Sequence, residues 1–454
     1  MNKSWKQSAA AWVAGRIFRS CIGSLLIVVS TTAGAQTASA DFQLKNNDVV
    51  AFFGDSNTEW GSYVRDMENY TLLRFPERNI RFINAGFDGD MVSKAYFRLD
   101  RDVFKAGATV AIVMFGINDM SWGNYGGPEY QKTFLEYTRK VIDECFRHHV
   151  RVYVVSYPIT DRAIGMKGAD RYNRFVGDLT SQDTSLLQRL GDSAMKIARE
   201  RGAAAIDVER EMRAMRNAFP PGTRLHQDDG VHLNELGNEI LAYVLLKGLH
   251  APPLVSSVSI DAERGKAVRV TGATVSNVTK SGDTIRFTRL DRGLPLTFWK
   301  PVDSSGVSVE NLFAPVNGYF VSFAGLNPHA RYELGADGIA LSPPCGFDGS
   351  RLSEPLNLAA LRSDRWLQRG PWAQQAMALG RLTESKADLH RALVYRARTE
   401  EAGSNWNLMT RLGMSALTSI SAVQRSIAKP VPYHFTLSPL SSDSVSRCTA
   451  RGTR

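Results

Sequence analysis

The strongest constraint on the fold is an alternation. Between residues 48 and 250, short apolar runs take turns with longer amphipathic stretches. The runs read as strands over Val49–Phe53, Ile80–Ile83, Thr109–Phe115, Arg151–Ser156 and Ala203–Asp207. Helical periodicity falls near 62–74, 128–148, 171–200 and 235–249. Strands that alternate with helices cannot pair as hairpins, so the pattern predicts a parallel sheet covered by helices on both faces. Such sheets bind ligands beyond the carboxyl ends of their strands, so chemistry is sought in the loops that directly follow them.

Four of those loops carry suitable residues. Gly54-Asp55-Ser56 follows the first strand and precedes a helix, which places a hydroxyl beside helix N-terminal amides. The same tripeptide recurs at Gly191-Asp192-Ser193, but helical pattern flanks it on both sides, so Ser193 reads as a helix interruption or cap. A serine nucleophile needs a base, and the base needs an orienting group. Of the eight histidines, only His232 has an aspartate three residues earlier, Asp229, in a loop before the last helix. Asp229 can hold the imidazole while its other nitrogen faces Ser56. Acyl transfer also needs donors for a developing oxyanion. Gly89, in Asn84-Ala-Gly-Phe-Asp-Gly89-Asp, offers a backbone N–H, and Asn118, in Gly116-Ile117-Asn118-Asp119, offers a side-chain N–H. Taken singly, each of these loops also reads as an ordinary Gly-Asx turn.

Together the blocks GDSNTEWG, NAGFDGD, GIND and DGVHLNELG, in this order, resemble the SGNH (GDSL-type) hydrolases. The resemblance covers roughly residues 48–250 and implies a flavodoxin-like sheet. It also implies Ser56 as nucleophile, His232 as base, Asp229 as its orienting partner, and Gly89, Asn118 and the Ser56 amide as oxyanion hole. Asn57 departs from the pattern, because many members carry an apolar residue there; the expected effect is on packing more than on chemistry. No GxSxG elbow is present, which counts against an α/β-hydrolase. The family cleaves esters of sugars, lipids and small alcohols, and some members transfer acyl groups. The function expected is an exported serine esterase acting on carboxylic esters, with small acyl (acetyl) esters of a carbohydrate favoured. The alternatives are an O-acyltransferase using the same triad and a non-catalytic carbohydrate- or cell-wall-binding protein. No cofactor is implied. His226, Asp228, Asp229 and His232 cluster, but without an HExxH helix or a cysteine pair a metal there is not expected. His226 and Asp228 read as solvated loop residues. Trp60, Trp122 and Tyr125 lie near the Ser56 and Asn118 loops and suit a wall over the acyl site, although Trp60 reads equally well as a core residue. The glycine-rich stretch 121–127 is a candidate substrate contact.

Composition then excludes other classes. The 454 residues are 43% hydrophobic and 22% charged, enough for a sizeable core, and the length suggests two domains. Of the net charge of +10, Lys3, Lys6, Arg16 and Arg19 supply four within the acid-free residues 1–40, which leaves +6 for the rest. No basic run interleaved with aromatics is present, so nucleic acid is not an expected partner. Residues 1–40 read as an export signal, basic and then apolar over 22–29, with small-residue cleavage sites at 33–35 and 38–40. Export places the protein in the periplasm or outside the cell, with no stable membrane span after signal removal; an uncleaved anchor is the other reading. Cys145 lies on an apolar helical face and reads as a buried thiol, whereas Cys345 and Cys448 sit in loop-like sequence where export permits a disulfide. After the hydrolase domain (41–252), residues 253–350 read as an antiparallel β-rich module. Residues 351–454 read as a helical segment, with the pattern running from about 355 to 427 and an irregular tail after Lys429.

Overall fold

The computed structural model describes residues 41–123, 126–161, 184–298, 306–362, 370–399 and 404–441. The export segment, Tyr125 and Cys448 lie outside the described residues, as does the part of the 171–200 helix before Thr184.

Five strands form the first sheet: β1 (Val49–Gly54), β2 (Arg81–Gly86), β3 (Val110–Met114), β4 (Arg151–Val155) and β5 (Ala204–Ile206). All are parallel, in the order β2-β1-β3-β4-β5, which is the flavodoxin-like winding. The helices are α1 (Ser56–Glu59), α2 (Tyr63–Arg74), α3 (Val92–Ala95), α4 (Pro128–Arg147), α5 (Thr184–Glu200), α6 (Val208–Ala218) and α7 (Glu235–Gly248). Successive strand side chains point to opposite faces, which divides the core in two. Val50, Phe52, Ile112 and Met114 pack with Met67 of α2 and Ile240 of α7. Ala51, Phe53, Ala111 and Val113 pack with Val141 of α4 and Leu190 of α5. Cys145 is a free thiol in the second cluster, fully buried.

Helix α5 runs unbroken through the second Gly-Asp-Ser, contrary to the expected interruption. Leu186, Leu187, Leu190, Ala194 and Ile197 keep an apolar face buried throughout, and the Ser193 hydroxyl donates to the carbonyl of Arg189 at 2.9 Å. Helix α6 was not anticipated, although Asp207 caps it by accepting from the Arg210 amide at 3.2 Å.

The second half builds two further sheets. The strands are β6 (Leu254–Asp261), β7 (Lys266–Thr271), β8 (Ala273–Ser281), β9 (Thr284–Asp291), β10 (Gly318–Ala324), β11 (Arg331–Ala336), β12 (Ile339–Ala340), β13 (Phe347–Asp348), β14 (Leu356–Asn357) and β15 (Tyr433–Pro439). One sheet has the order β14-β10-β6-β7; the other has the order β12-β11-β15-β9-β8, with β13 on β11. Two expectations are corrected here. The module is not wholly antiparallel, because β10 returns beside β6 in parallel after a long crossover. The tail is not irregular over 433–439: Tyr433, Phe435 and Leu437 alternate inward, and the strand lies between β11 and β9. Residues 356–360 are a short strand and a 3-10 turn rather than helix. Beside short helices at Val309–Phe313 and Gly349–Ser353, the long helices described in this half are α8 (Pro371–Thr399) and α9 (Ser404–Ala428), a hairpin whose first arm packs on α2. Cys345 is disulfide-bonded. Among the described residues no helix is long and apolar enough to cross a membrane.

Candidate active site

Ser56 opens α1 immediately beyond the carboxyl end of β1. Asp55 is the N-cap, its Oδ1 accepting from the Asn57 amide at 3.0 Å. As the first residue of the helix, Ser56 has an amide without an intrahelical acceptor. The His232 loop is built by Asp229. Its Oδ1 accepts from the amides of Val231 and His232, both at 2.8 Å, while its Oδ2 accepts from His232 Nδ1 at 2.6 Å. One carboxylate thus folds the loop and orients the ring. With Nδ1 protonated, Nε2 is the acceptor, and it lies 2.8 Å from Ser56 Oγ. Burial disfavours charge on His232, but the hydrogen bond and charge of Asp229 outweigh it and raise the imidazole above its ordinary value. Burial opposes the Asp229 charge too, yet its bonds to His232 and to the two amides hold its carboxyl below the usual range.

Gly89 and Asn118 sit beyond β2 and β3, on the same sheet edge as Ser56. Gly89 has φ +68°, and nothing lies within 4 Å of where a Cβ would be, so backbone conformation rather than space calls for glycine. Asn118 is clamped on both sides. Its Nδ2 donates to Asp90 O at 3.0 Å, and its Oδ1 accepts from Trp122 Nε1 at 3.1 Å. The second hydrogen on Nδ2 stays available.

Several supporting residues carry no local sequence signal. Buried Arg98 donates to Ala85 O at 2.7 Å, to Gly54 O at 3.0 Å and to Asp90 Oδ2 at 2.7 Å. It thereby ties the ends of β1 and β2 to the loop that carries Gly89. Glu59 accepts from the Asp88 amide in the same loop. Gly86 lets this loop approach α1, since a Cβ there would lie 2.2 Å from the Glu59 nitrogen.

Asn57 is more than a packing residue, which corrects the expectation for it. Its Nδ2 donates to Val231 O at 3.2 Å and to Tyr157 Oη at 2.6 Å, and its Oδ1 accepts from the Leu233 amide at 3.0 Å. It holds the backbone on both sides of His232. An apolar side chain of similar size makes none of these bonds. Tyr157 also donates to Asp55 Oδ1 at 3.4 Å. Burial pushes the Asp55 and Asp119 carboxyls up to about 7 each.

Trp122 meets the His232 ring edge-on at 5.7 Å, beside the base. Trp60 is 54% exposed and therefore not a core residue, and the Arg391 guanidinium lies 4.7 Å from its ring centre. His226 is buried, not solvated, with Nε2 2.7 Å from Ile159 O. Asp228 is exposed and pairs with Arg224 at 2.7 Å.

Comparison with known proteins follows the same boundaries. Lipoprotein YqeF of Bacillus subtilis (strain 168), described as uncharacterized, is 29% identical over 145 residues. That match takes in 30% of this chain and spans 57% of the length of YqeF. Among solved structures, BT4096, described as a gut microbial diltiazem-metabolizing enzyme, aligns with a TM-score of 0.71 at 21% identity, covering 87% of this chain and 98% of its own. The shared fold therefore extends beyond the first sheet into the second half. Residues 52–240 match the model of the GDSL-like Lipase/Acylhydrolase family. That span takes in Ser56, Gly89, Asn118, Asp229 and His232, so the candidate site lies within a GDSL-like lipase/acylhydrolase domain.

Proposed function

We propose that the protein is an exported serine esterase that hydrolyses small acyl esters of a carbohydrate alcohol. The observation that carries the reaction type is the unbroken relay from Ser56 Oγ to His232 Nε2, 2.8 Å, and from His232 Nδ1 to Asp229 Oδ2, 2.6 Å. Ser56 Oγ attacks the ester carbonyl as its proton passes to Nε2. The oxyanion collects the amides of Ser56 and Gly89 and the free hydrogen of Asn118 Nδ2. The C–O bond to the alcohol breaks as His232 returns the proton to the leaving oxygen. Water, deprotonated by the same nitrogen, then attacks the acyl-serine and releases the acid.

The alcohol side is supported by a cavity of about 650 Å3 whose lining includes Leu233, the neighbour of His232. Trp60, Asp66, Asn69, Gln227, Asn238 and Glu239 face it, an aromatic plane with planar hydrogen-bonding groups. That combination suits a sugar better than an alkyl alcohol. Export is supported by the basic-then-apolar residues 1–40. The test is hydrolysis of p-nitrophenyl acetate, butyrate and longer esters beside acetylated oligosaccharides. Preference for acetate and release of acetate from the sugars are expected. Equal turnover across chain lengths with no action on sugars would sink the substrate reading.

A further inference from the structure

A second cavity, of about 400 Å3, lies on the other side of the 59–62 turn, between α2, the edge strand β2 and the α8–α9 hairpin. Its volume is in the range of small-ligand sites, roughly 300–1,000 Å3. Val64, Phe82, Ile83, Leu393, Val394 and Leu417 make its walls apolar. Unlike the first cavity, it has no lining residue from the segment around His232, where Gln227, Leu233 and Asn234 line the other, so it is separate from the proposed substrate site.

Its charges are unbalanced. Arg65 is paired with Glu384 at 3.3 Å, and Lys386 with Glu68. Arg81 and Arg425 also line the cavity, and neither pairs with a carboxylate among the described residues. Arg391, a further lining residue, pairs with Asp388 at 3.4 Å and lies against Trp60, with its Nε buried without a partner among them, and the lining carboxylate of Glu59 is engaged by the Asp88 amide. Cationic groups at an apolar cavity attract an anion that carries its own apolar body, because the head is matched by guanidinium and the tail by the walls.

We infer that this cavity binds a single-chain alkyl carboxylate, its tail between β2 and α9 and its head on Arg81 and Arg425. Binding does not depend on ester hydrolysis, so it is measured by calorimetric titration of the full-length Ser56→Ala protein. Hexanoate, octanoate, decanoate and decanol are the probes. Burial of each methylene predicts about a threefold to fourfold gain in affinity per added carbon until the tail fills the cavity. Decanoate should saturate one site, and decanol should bind at least tenfold more weakly. The double variant Arg81→Gln/Arg425→Gln should weaken decanoate at least tenfold while its melting temperature holds. Leu417→Trp, which fills the wall, should abolish binding. Affinity that ignores chain length, decanol equal to decanoate, or decanoate binding untouched by both variants would each overturn the inference. An active-site carboxylate would give the last result, so the two cavities are told apart.

Discussion

Two buried polar networks in this molecule differ in one respect, closure. In the β module, the side chains of Arg289 and Asp291 on β9 are fully buried. Arg289 Nε donates to Asp291 Oδ1 at 2.9 Å, Nη2 to Ser256 Oγ at 2.7 Å and Nη1 to Phe320 O at 3.0 Å. Tyr319 Oη takes the other Asp291 oxygen at 2.7 Å, and its ring lies 4.0 Å under the guanidinium. These bonds join β9 to β6 and β10, and the network opens onto no solvent. The network around Ser56 is buried at Asp55 and ends at His232, whose side chain is 22% exposed. It also leaves Asp55 Oδ2 and Asp119 Oδ2 buried without partners among the described residues. Unsatisfied polar atoms cost stability, so a half-closed network is an expensive way to hold a fold and a useful way to keep donors and acceptors for a substrate. The first network should answer to mutation in stability, the second in rate.

The largest effect expected is on rate. Ser56→Ala should lower kcat for p-nitrophenyl acetate by about 10⁴-fold or more with an unchanged melting temperature. Near-wild-type turnover would remove Ser56 from the mechanism. Asp291→Ala tests the other network, because it strands the Arg289 charge in the interior. Removing one partner of a buried pair costs about 3–5 kcal/mol. Urea denaturation should show a loss of that order, while kcat per folded molecule stays at wild type. A large fall in kcat without loss of stability would erase the distinction.

Asn57→Leu lies between these cases, because Asn57 belongs to the site yet acts through another residue. It should lower kcat about 10- to 100-fold with little change in KM, by freeing the loop that places His232. In the Ser56→Ala background the same substitution should have no further effect on rate, since no nucleophile remains to be served. An Asn57→Leu enzyme with raised KM and intact kcat would assign Asn57 to substrate binding instead.

How much of this was legible in the sequence depends on how far apart the partners lie. The first sheet follows from apolar runs and amphipathic stretches, both local patterns. The placement of Ser56, Gly89, Asn118 and the Asp229–His232 pair at one sheet edge was readable because each occupies a loop that directly follows a strand or precedes a helix. Arg98 and Tyr157 were not, since each reaches main chain or side chains of other elements and sits in no motif of its own. The role of Asn57 was misjudged for the same reason: its partners, Val231 and Leu233, are set by the fold and not by its neighbours in sequence. Strand β15 is a different failure. Tyr433, Phe435 and Leu437 carry a clear period of two, masked by the Pro and Ser around them. The paired arrangement of β6 and β10 needs a crossover, which no local pattern announces.

The smallest expected effect is a shift in pH dependence, and its sign follows from the site. His232 must be neutral to act as base, and Asp229 raises it above its ordinary value, so kcat/KM should rise with pH through a midpoint above 6.5. The negative charge of Asp55 contributes to that rise. Asp55→Asn keeps an Oδ1 acceptor for the Asn57 amide and the Tyr157 hydroxyl, so the cap survives while the charge is lost. The midpoint of the acid limb should therefore fall by a fraction of a unit, with the plateau rate close to wild type. Stability should move as well. A carboxyl raised from 3.8 to about 7 is favoured in its protonated form by the folded state, so its contribution is complete below the unfolded value and is lost as pH climbs to about 7. Asp55→Asn removes that slope, and denaturation midpoints between pH 4 and 7 should become flatter than those of the wild type. A variant whose acid limb moves upward would show that Asp55 does not act on His232 through its charge, and an unchanged stability slope would show that the fold does not hold the Asp55 carboxyl protonated.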